Sequence, residues 1–177
     1  MSDLGKGYVH IYTGDGKGKT TAALGLALRG AGCGLRTIVI QFMKGRHYSE
    51  LDAAKMLEGL LVIEQHGSQE FCRLTNPPDP GDVKRAHHAL ERIHEIVSSC
   101  SCDILIADEV IVSMMFHLVT EDEILDIIHA RPDGMELVLT GRGATPALMD
   151  AADLVTEMKE VKHYYARDVQ ARKGIEN

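Results

Sequence analysis

Apolar residues along the chain fall into short continuous runs, and these alternate with stretches of helical spacing. Tyr8–Tyr12 is the first run, and the glycine-rich turn after it feeds a helix beginning near Lys19. That helix carries Ala22, Ala23, Leu26 and Ala27 and stops at Gly30, Gly32 and Gly34. Thr37–Phe42 is rich in β-branched residues with no polar alternation, the pattern of a strand buried on both faces. Glu50–Leu57 is predicted as a short helix and Leu61–Gln65 as a strand. The stretch from His66 to Gly81 contains Pro77, Pro78 and Pro80, which exclude a continuous regular element and predict a surface loop. Loops of that length are often functional. From Asp82 to Ser99, Val83, Ala86, Leu90, Ile93 and Val97 recur at helical spacing. Asp103–Asp108 reads as a buried strand. Thr120 and Glu123 have the spacing of a capping box, which starts a helix running to about Ala130. Met135–Thr140 and Leu154–Met158 complete six predicted strands, and Asp168–Lys173 is predicted as a short closing helix. Strands alternating with helices predict an α/β fold: one three-layer domain spanning 1–177, built on a mostly parallel sheet.

Composition narrows the functional classes. With 45% apolar and 25% charged residues the chain has the material for a packed core, which excludes a disordered or fibrous protein. No apolar run approaches the roughly 20 residues of a membrane span, and the N-terminal residues lack a signal-peptide pattern. The expectation is a cytoplasmic protein with no membrane partner. A net charge of −7 argues against wholesale contact with a nucleic-acid backbone, and the absence of Trp argues against base-stacking platforms. Cys33, Cys72, Cys100 and Cys102 are expected to be reduced thiols.

The sharpest chemical signal lies between the first strand and the first helix: Thr13-Gly14-Asp15-Gly16-Lys17-Gly18-Lys19-Thr20-Thr21. Glycines allow backbone N–H groups to converge on phosphate oxygens, and the helix N-terminus adds positive potential. Lys19 would neutralise phosphate charge and Thr20 would offer its hydroxyl to Mg²⁺. Thr13 stands where the usual phosphate-loop pattern has glycine. A second signal is the apolar run Ile104–Ala107 ending in Asp108 and Glu109, since acids at the carboxyl end of a strand can hold the metal that bridges phosphate oxygens. Arg142, flanked by Gly141 and Gly143 after another strand, is a candidate phosphate clamp or a solvated turn residue. Gln41, Phe42 and Lys44 end a third strand and could face a ligand or serve the fold. Cys100 and Cys102 have no second pair at zinc-site spacing. His87, His88 and His94 lie on one predicted helix and read as part of a solvated face. Phe71 could cover a flat ligand or anchor its loop.

Taken as an ordered set, these segments resemble one family. Tyr12–Ala23 is joined by Gln41-Phe42-Met43-Lys44-Gly45, Asp108-Glu109, Thr140-Gly141-Arg142-Gly143, Val161-Lys162-His163 and Lys173-Gly174-Ile175. The chain is similar, over about residues 7 to 176, to the P-loop-type ATP:corrinoid adenosyltransferases. The resemblance implies a RecA-like P-loop fold, homodimers and a distinctive use of the loop. Co(I) of a reduced corrinoid attacks the 5′ carbon of ATP and triphosphate leaves intact, so the loop holds a leaving group. It further implies that Lys19 and the Gly14–Gly18 backbone cradle the triphosphate, and that Thr20 and Glu109 bind Mg²⁺ with Asp108 beside it. A flavodoxin-like protein is the reductant the family implies, and Thr13 is an ordinary residue at its position there. Family members often carry Asn where this chain has Asp15, and a Trp-containing motif where it reads Gly67-Ser68-Gln69-Glu70-Phe71; Phe71 is the candidate substitute. Two rival readings use the same loop: a small-molecule kinase or ATPase, whose product would be ADP, and a non-catalytic nucleotide-binding regulator.

Overall fold

The structure is a computed structural model that describes residues 4–70 and 72–176; the expectation for Phe71 lies outside the described residues. Six parallel strands form one sheet in the order β3-β2-β4-β5-β1-β6. They are β1 (Val9–Thr13), β2 (Thr37–Phe42), β3 (Leu61–His66), β4 (Ile104–Asp108), β5 (Glu136–Thr140) and β6 (Leu154–Glu157). The helices are α1 (Lys19–Ala31), α2 (Ser49–Lys55), α3 (Pro80–Ser99), α4 (Val110–Met115), α5 (Glu121–Ala130) and α6 (Pro146–Asp150).

The period-two geometry of each strand sorts its apolar residues between two cores. Val39, Ile104, Ile106 and Val138 face one side, where they meet Ala23 and Ala27 of α1 and Ala54 of α2. Ile38, Ile40, Phe42, Leu105, Leu137 and Leu139 face the other, against α3, α5 and α6. Helices on both faces of a parallel sheet make the three layers, as the strand pattern predicts. No helix of the described residues is long and apolar enough to cross a membrane.

Several elements depart from the sequence pattern. α3 starts at Pro80, two residues before the predicted start, because proline at the first helical turn gives up only an N–H that is unpaired anyway. Asp79 caps it by accepting from the N–H groups of Gly81 and Asp82 at 2.9 and 3.0 Å. α4 was not predicted: the sequence pattern ends the strand at Asp108 and assigns no element between it and Thr120, whereas Glu109, at φ 63°, turns the chain into the helix. α6 was also missed, although Thr145 followed by Pro146 is a helix-start signature, and the Thr145 hydroxyl accepts from Leu148 N–H at 3.3 Å. The expected helix over Asp168–Lys173 does not form. Only a 3₁₀ turn at Tyr164–Arg167 precedes it, and Asp168 adopts φ 59°. That stretch has no apolar stripe to bury, so nothing offsets the cost of helix nucleation. Because all strands are parallel, their carboxyl ends share one edge of the sheet, which gathers the turns after β1, β2, β4 and β5.

Candidate nucleotide site

The turn from β1 into α1 is shaped for an anion. Gly14 (φ 94°) lies so close to the chain leaving β6 that a Cβ there would sit 2.5 Å from the Met158 carbonyl oxygen. Gly18 (φ 126°) occupies the N-cap of α1, and that helix has neither a side-chain cap nor an acid in its first turn. By contrast α3 is capped by Asp79 and α5 by the Thr120–Glu123 box. The uncapped N–H groups of α1 thus keep their capacity for phosphate oxygens. Lys19 is buried, and its ammonium donates to the carbonyls of Gly14 (2.7 Å) and Gly16 (2.9 Å). Burial lowers its pKa, while the charge of Glu109 pulls the other way.

Beneath the loop, Asp108 is fully buried and accepts four hydrogen bonds. Its Oδ1 takes the hydroxyls of Thr20 and Thr140, both at 2.8 Å, and its Oδ2 takes Lys44 Nζ (2.8 Å) and Gln41 Nε2 (3.2 Å). Strand register explains this convergence: Gln41 lies between Asp108 and Gln65 in adjacent strands, and Gln65 donates to Gln41 Oε1 at 3.0 Å. Burial pulls the Lys44 pKa down, but the charge and hydrogen bond of Asp108 outweigh it, so the net shift is upward.

Glu109 differs from its neighbour. Its backbone N–H donates to Thr140 Oγ1 at 2.8 Å, while its carboxylate accepts no hydrogen bond among the described residues. Burial raises its pKa, the negative charge of Asp108 raises it further, and Lys44, Lys19 and Arg142 oppose both. Thr20 and Glu109 are hard oxygen donors that suit Mg²⁺, an ion usually held by one or two protein groups plus substrate phosphates. Because the Thr20 O–H points at Asp108, the hydroxyl lone pairs stay available to a cation.

A cavity of about 820 Å³ opens over this edge. Among the expected site residues, Asp15, Gly16, Lys17, Gly18, Lys19, Thr20, Thr21, Lys44, Glu109 and Arg142 line it. Arg142 lies 3.7 Å from the Asp15 carboxylate across the mouth. Thr13, Gly14, Gln41 and Asp108 sit behind the wall. Thr13 Oγ1 accepts from Ala144 N–H at 3.3 Å, tying β1 to the turn after β5. Sequence reasoning missed Tyr48 and Glu50 of the opposite wall: the Lys44 ammonium lies 5.3 Å from the Tyr48 ring centre, and Glu50 accepts from Gln41 at 3.1 Å. The outer wall comes from the C-terminal stretch, through Glu160, His163, Tyr165 and Gly174–Glu176.

The remaining candidates lie elsewhere. All four cysteines are free, and burial pushes the Cys72 and Cys102 thiols up to about 12, far from reactive thiolates. His87, His88 and His94 are exposed on α3, as a solvated face predicts. No group of three or more His, Cys, Asp or Glu among the described residues could hold a metal ion.

The model of the family described as "ATP:corrinoid adenosyltransferase BtuR/CobO/CobP" matches residues 5–177. A corrinoid adenosyltransferase of Pseudomonas aeruginosa is 30% identical over 171 residues, covering 97% of this chain and 84% of that protein. One from Salmonella typhimurium is also 30% identical over 171 residues, covering 97% and 86%. In solved structures, a KaiC-like protein of Pyrococcus horikoshii superposes with a TM-score of 0.58 over 89% of this chain and 74% of its own, at 16% identity. That likeness concerns the fold alone and supports a RecA-like P-loop architecture. With a family model matched across nearly its whole length, the chain belongs to the ATP:corrinoid adenosyltransferase family.

Proposed function

We propose that this chain transfers the 5′-deoxyadenosyl group of ATP to the Co(I) centre of a reduced corrinoid and releases triphosphate. The observation that carries the reading is convergence. Lys44, Glu109, Arg142, His163 and Gly174–Ile175 come from five separate segments, and all of them line the cavity over the phosphate loop. Those segments are the ones whose order along the chain marks the family.

The step is a substitution at carbon. The Co(I) electron pair forms a bond to C5′, the C5′–O bond breaks, and its electron pair leaves on the triphosphate oxygen. Cobalt is formally oxidised from I to III, and no proton has to move. Charge therefore grows on the departing triphosphate, and the donors in place match that demand. Lys19 exchanges its two carbonyl partners for phosphate oxygens, the N–H groups at the start of α1 donate to them, and Arg142 closes from the β5 side. Thr20 and Glu109 would hold Mg²⁺, which would neutralise part of the triphosphate charge. Asp108, with all its acceptor capacity used, orients Thr20 and Lys44. The same reading assigns a cytoplasmic setting, a flavodoxin-like reductant and a homodimer.

An anaerobic assay tests it. The protein is mixed with MgATP and chemically reduced cob(I)alamin, and Co(I) absorbance and triphosphate are followed together. The expected result is loss of Co(I) with one triphosphate per light-sensitive alkylcobalt product. Persistence of Co(I) while MgATP binds, with ADP as the only nucleotide product, would overturn the proposal in favour of a kinase or ATPase.

A further inference from the structure

The geometry points to a binding site for a borderline-soft divalent metal ion, of the Zn²⁺, Ni²⁺ or Co²⁺ type, formed by His66 and His88 at the β3 edge of the sheet. His66 is the last residue of β3 and His88 lies on α3, so two separate elements bring the rings together. The two Nδ1 atoms are 3.1 Å apart, with ring centres at 5.1 Å and planes tilted by 39°. On a tetrahedral ion with metal–nitrogen bonds of about 2.0–2.1 Å, two imidazole nitrogens stand about 3.3–3.4 Å apart. The pair is therefore within a few tenths of an ångström of chelating spacing.

Support from behind strengthens the assignment. The His66 side chain is only 10% exposed, and its Nε2 lies 3.9 Å from Glu64 Oε2. Glu64 is in turn fixed by Arg92, whose Nε and Nη2 donate to it at 2.9–3.3 Å. At 3.9 Å the Glu64 carboxylate makes no hydrogen bond to the ring, but its negative charge favours the proton on Nε2, the tautomer that leaves Nδ1 bare. Burial, followed by the nearby His88, lowers the His66 pKa, a shift toward the neutral ring that ligates metal ions. His88 is exposed, so it can carry its proton on Nε2 toward water while its Nδ1 binds the ion. With no third protein ligand among the described residues, water completes the coordination. Imidazole selects against Mg²⁺, so this site would not compete for the ion of the nucleotide site. A bound ion would pin the end of β3 to α3, the two elements that bracket the 67–79 stretch.

The test is a titration of the full chain with Zn²⁺ alone, in excess Mg²⁺, read by calorimetry and by the thermal midpoint. One equivalent should bind and raise the midpoint. His88→Ala and His66→Ala should each remove that equivalent, and Glu64→Gln should weaken it by less than the roughly 10–100-fold that a directly hydrogen-bonded carboxylate contributes. His94→Ala, an exposed histidine on the same helix, should leave it intact. His88 is exposed, so its alanine variant is expected to fold, and its thermal midpoint without Zn²⁺ checks this. Absence of a stoichiometric equivalent from the unmodified chain, or its survival in either His88→Ala or His66→Ala, would overturn the assignment. Equal loss in His94→Ala would do the same.

Discussion

The cavity has two walls of opposite construction. The inner wall is made of strand ends, where Asp108, Gln41 and Thr140 are each fully buried and joined in one hydrogen-bonded unit. The outer wall is the C-terminal stretch, whose 3₁₀ turn has no buried residue. It is tied chiefly to itself: Arg172 and Tyr164 both bond to Glu176, and Arg172 first, then Tyr164, holds its carboxyl down at about 2. One further bond, Lys17 Nζ to the Ile175 carbonyl at 3.0 Å, fastens it to the phosphate loop. The inner wall is preorganised, as the proposed stabilisation of a departing triphosphate requires. Exposed ion pairs contribute little to stability, so the outer wall can yield to a substrate at small cost, as ligand-facing segments commonly do.

The largest expected effect is a break in the inner wall. Asp108→Ala leaves Lys44, Gln41, Thr20 and Thr140 without their shared acceptor. Removing one member of a buried charged pair costs about 3–5 kcal/mol, which urea unfolding would read as a large fall in midpoint. A variant as stable as the parent would remove the distinction between the walls. Next comes Lys19→Ala, which on the proposed reading takes away a donor to the leaving group. Loss of one such donor costs about 10²–10³ in turnover, measured as triphosphate release. Its urea midpoint should move far less than that of Asp108→Ala, since Lys19 bonds only to loop carbonyls. Full activity would exclude the phosphate role.

Glu109→Gln separates stability from function within the inner wall. Folded Glu109 keeps its proton to a higher pH than an unfolded glutamate, chiefly through burial. Between those two pKa values the native state binds more protons, so its stability falls as pH rises through that window. Removing the carboxylate should therefore make the nucleotide-free protein more stable at pH 7 than the parent and flatten its acid-side pH profile. The same variant should lose the Mg²⁺-dependent part of stabilisation by ATP. A destabilised variant with an unchanged profile would mean that Glu109 is held by contacts rather than opposed by burial.

Much of the inner wall was legible in the sequence. Glycine spacing marked the phosphate loop, and unbroken apolar runs marked strands that end in chemistry. What pattern left open was direction. Gln41 lies in β2 and Lys44 two residues beyond its end; the register of β2 against β4 buries Gln41 beside Asp108, whereas Lys44 both bonds Asp108 and lines the cavity. Tyr48 and Glu50 carry no motif, since their place in the wall depends on how α2 packs beside the sheet. α4 was hidden because β-branched residues serve a buried helix as well as a strand once Glu109 has turned the chain. The outer wall was the least legible: it lacks hydrophobic periodicity, and the predicted helix there had no face to bury.

The smallest effect probes the fastening between the walls. Lys17 is exposed, and its bond to Ile175 is a single surface contact, so Lys17→Met should leave the thermal midpoint almost unchanged. Its consequence should appear only in hydrogen exchange. Amides of residues 172–176 should exchange faster, by about fivefold at most, the scale of one exposed hydrogen bond. Amides of β4 should stay at the parent rate, because Asp108 and its four donors do not depend on the tail. If exchange in β4 rose in step with the tail, the two walls would be opening as one cooperative unit. The tail would then contribute to the fold that positions the leaving group, and its looseness could not be an adaptation to substrate entry.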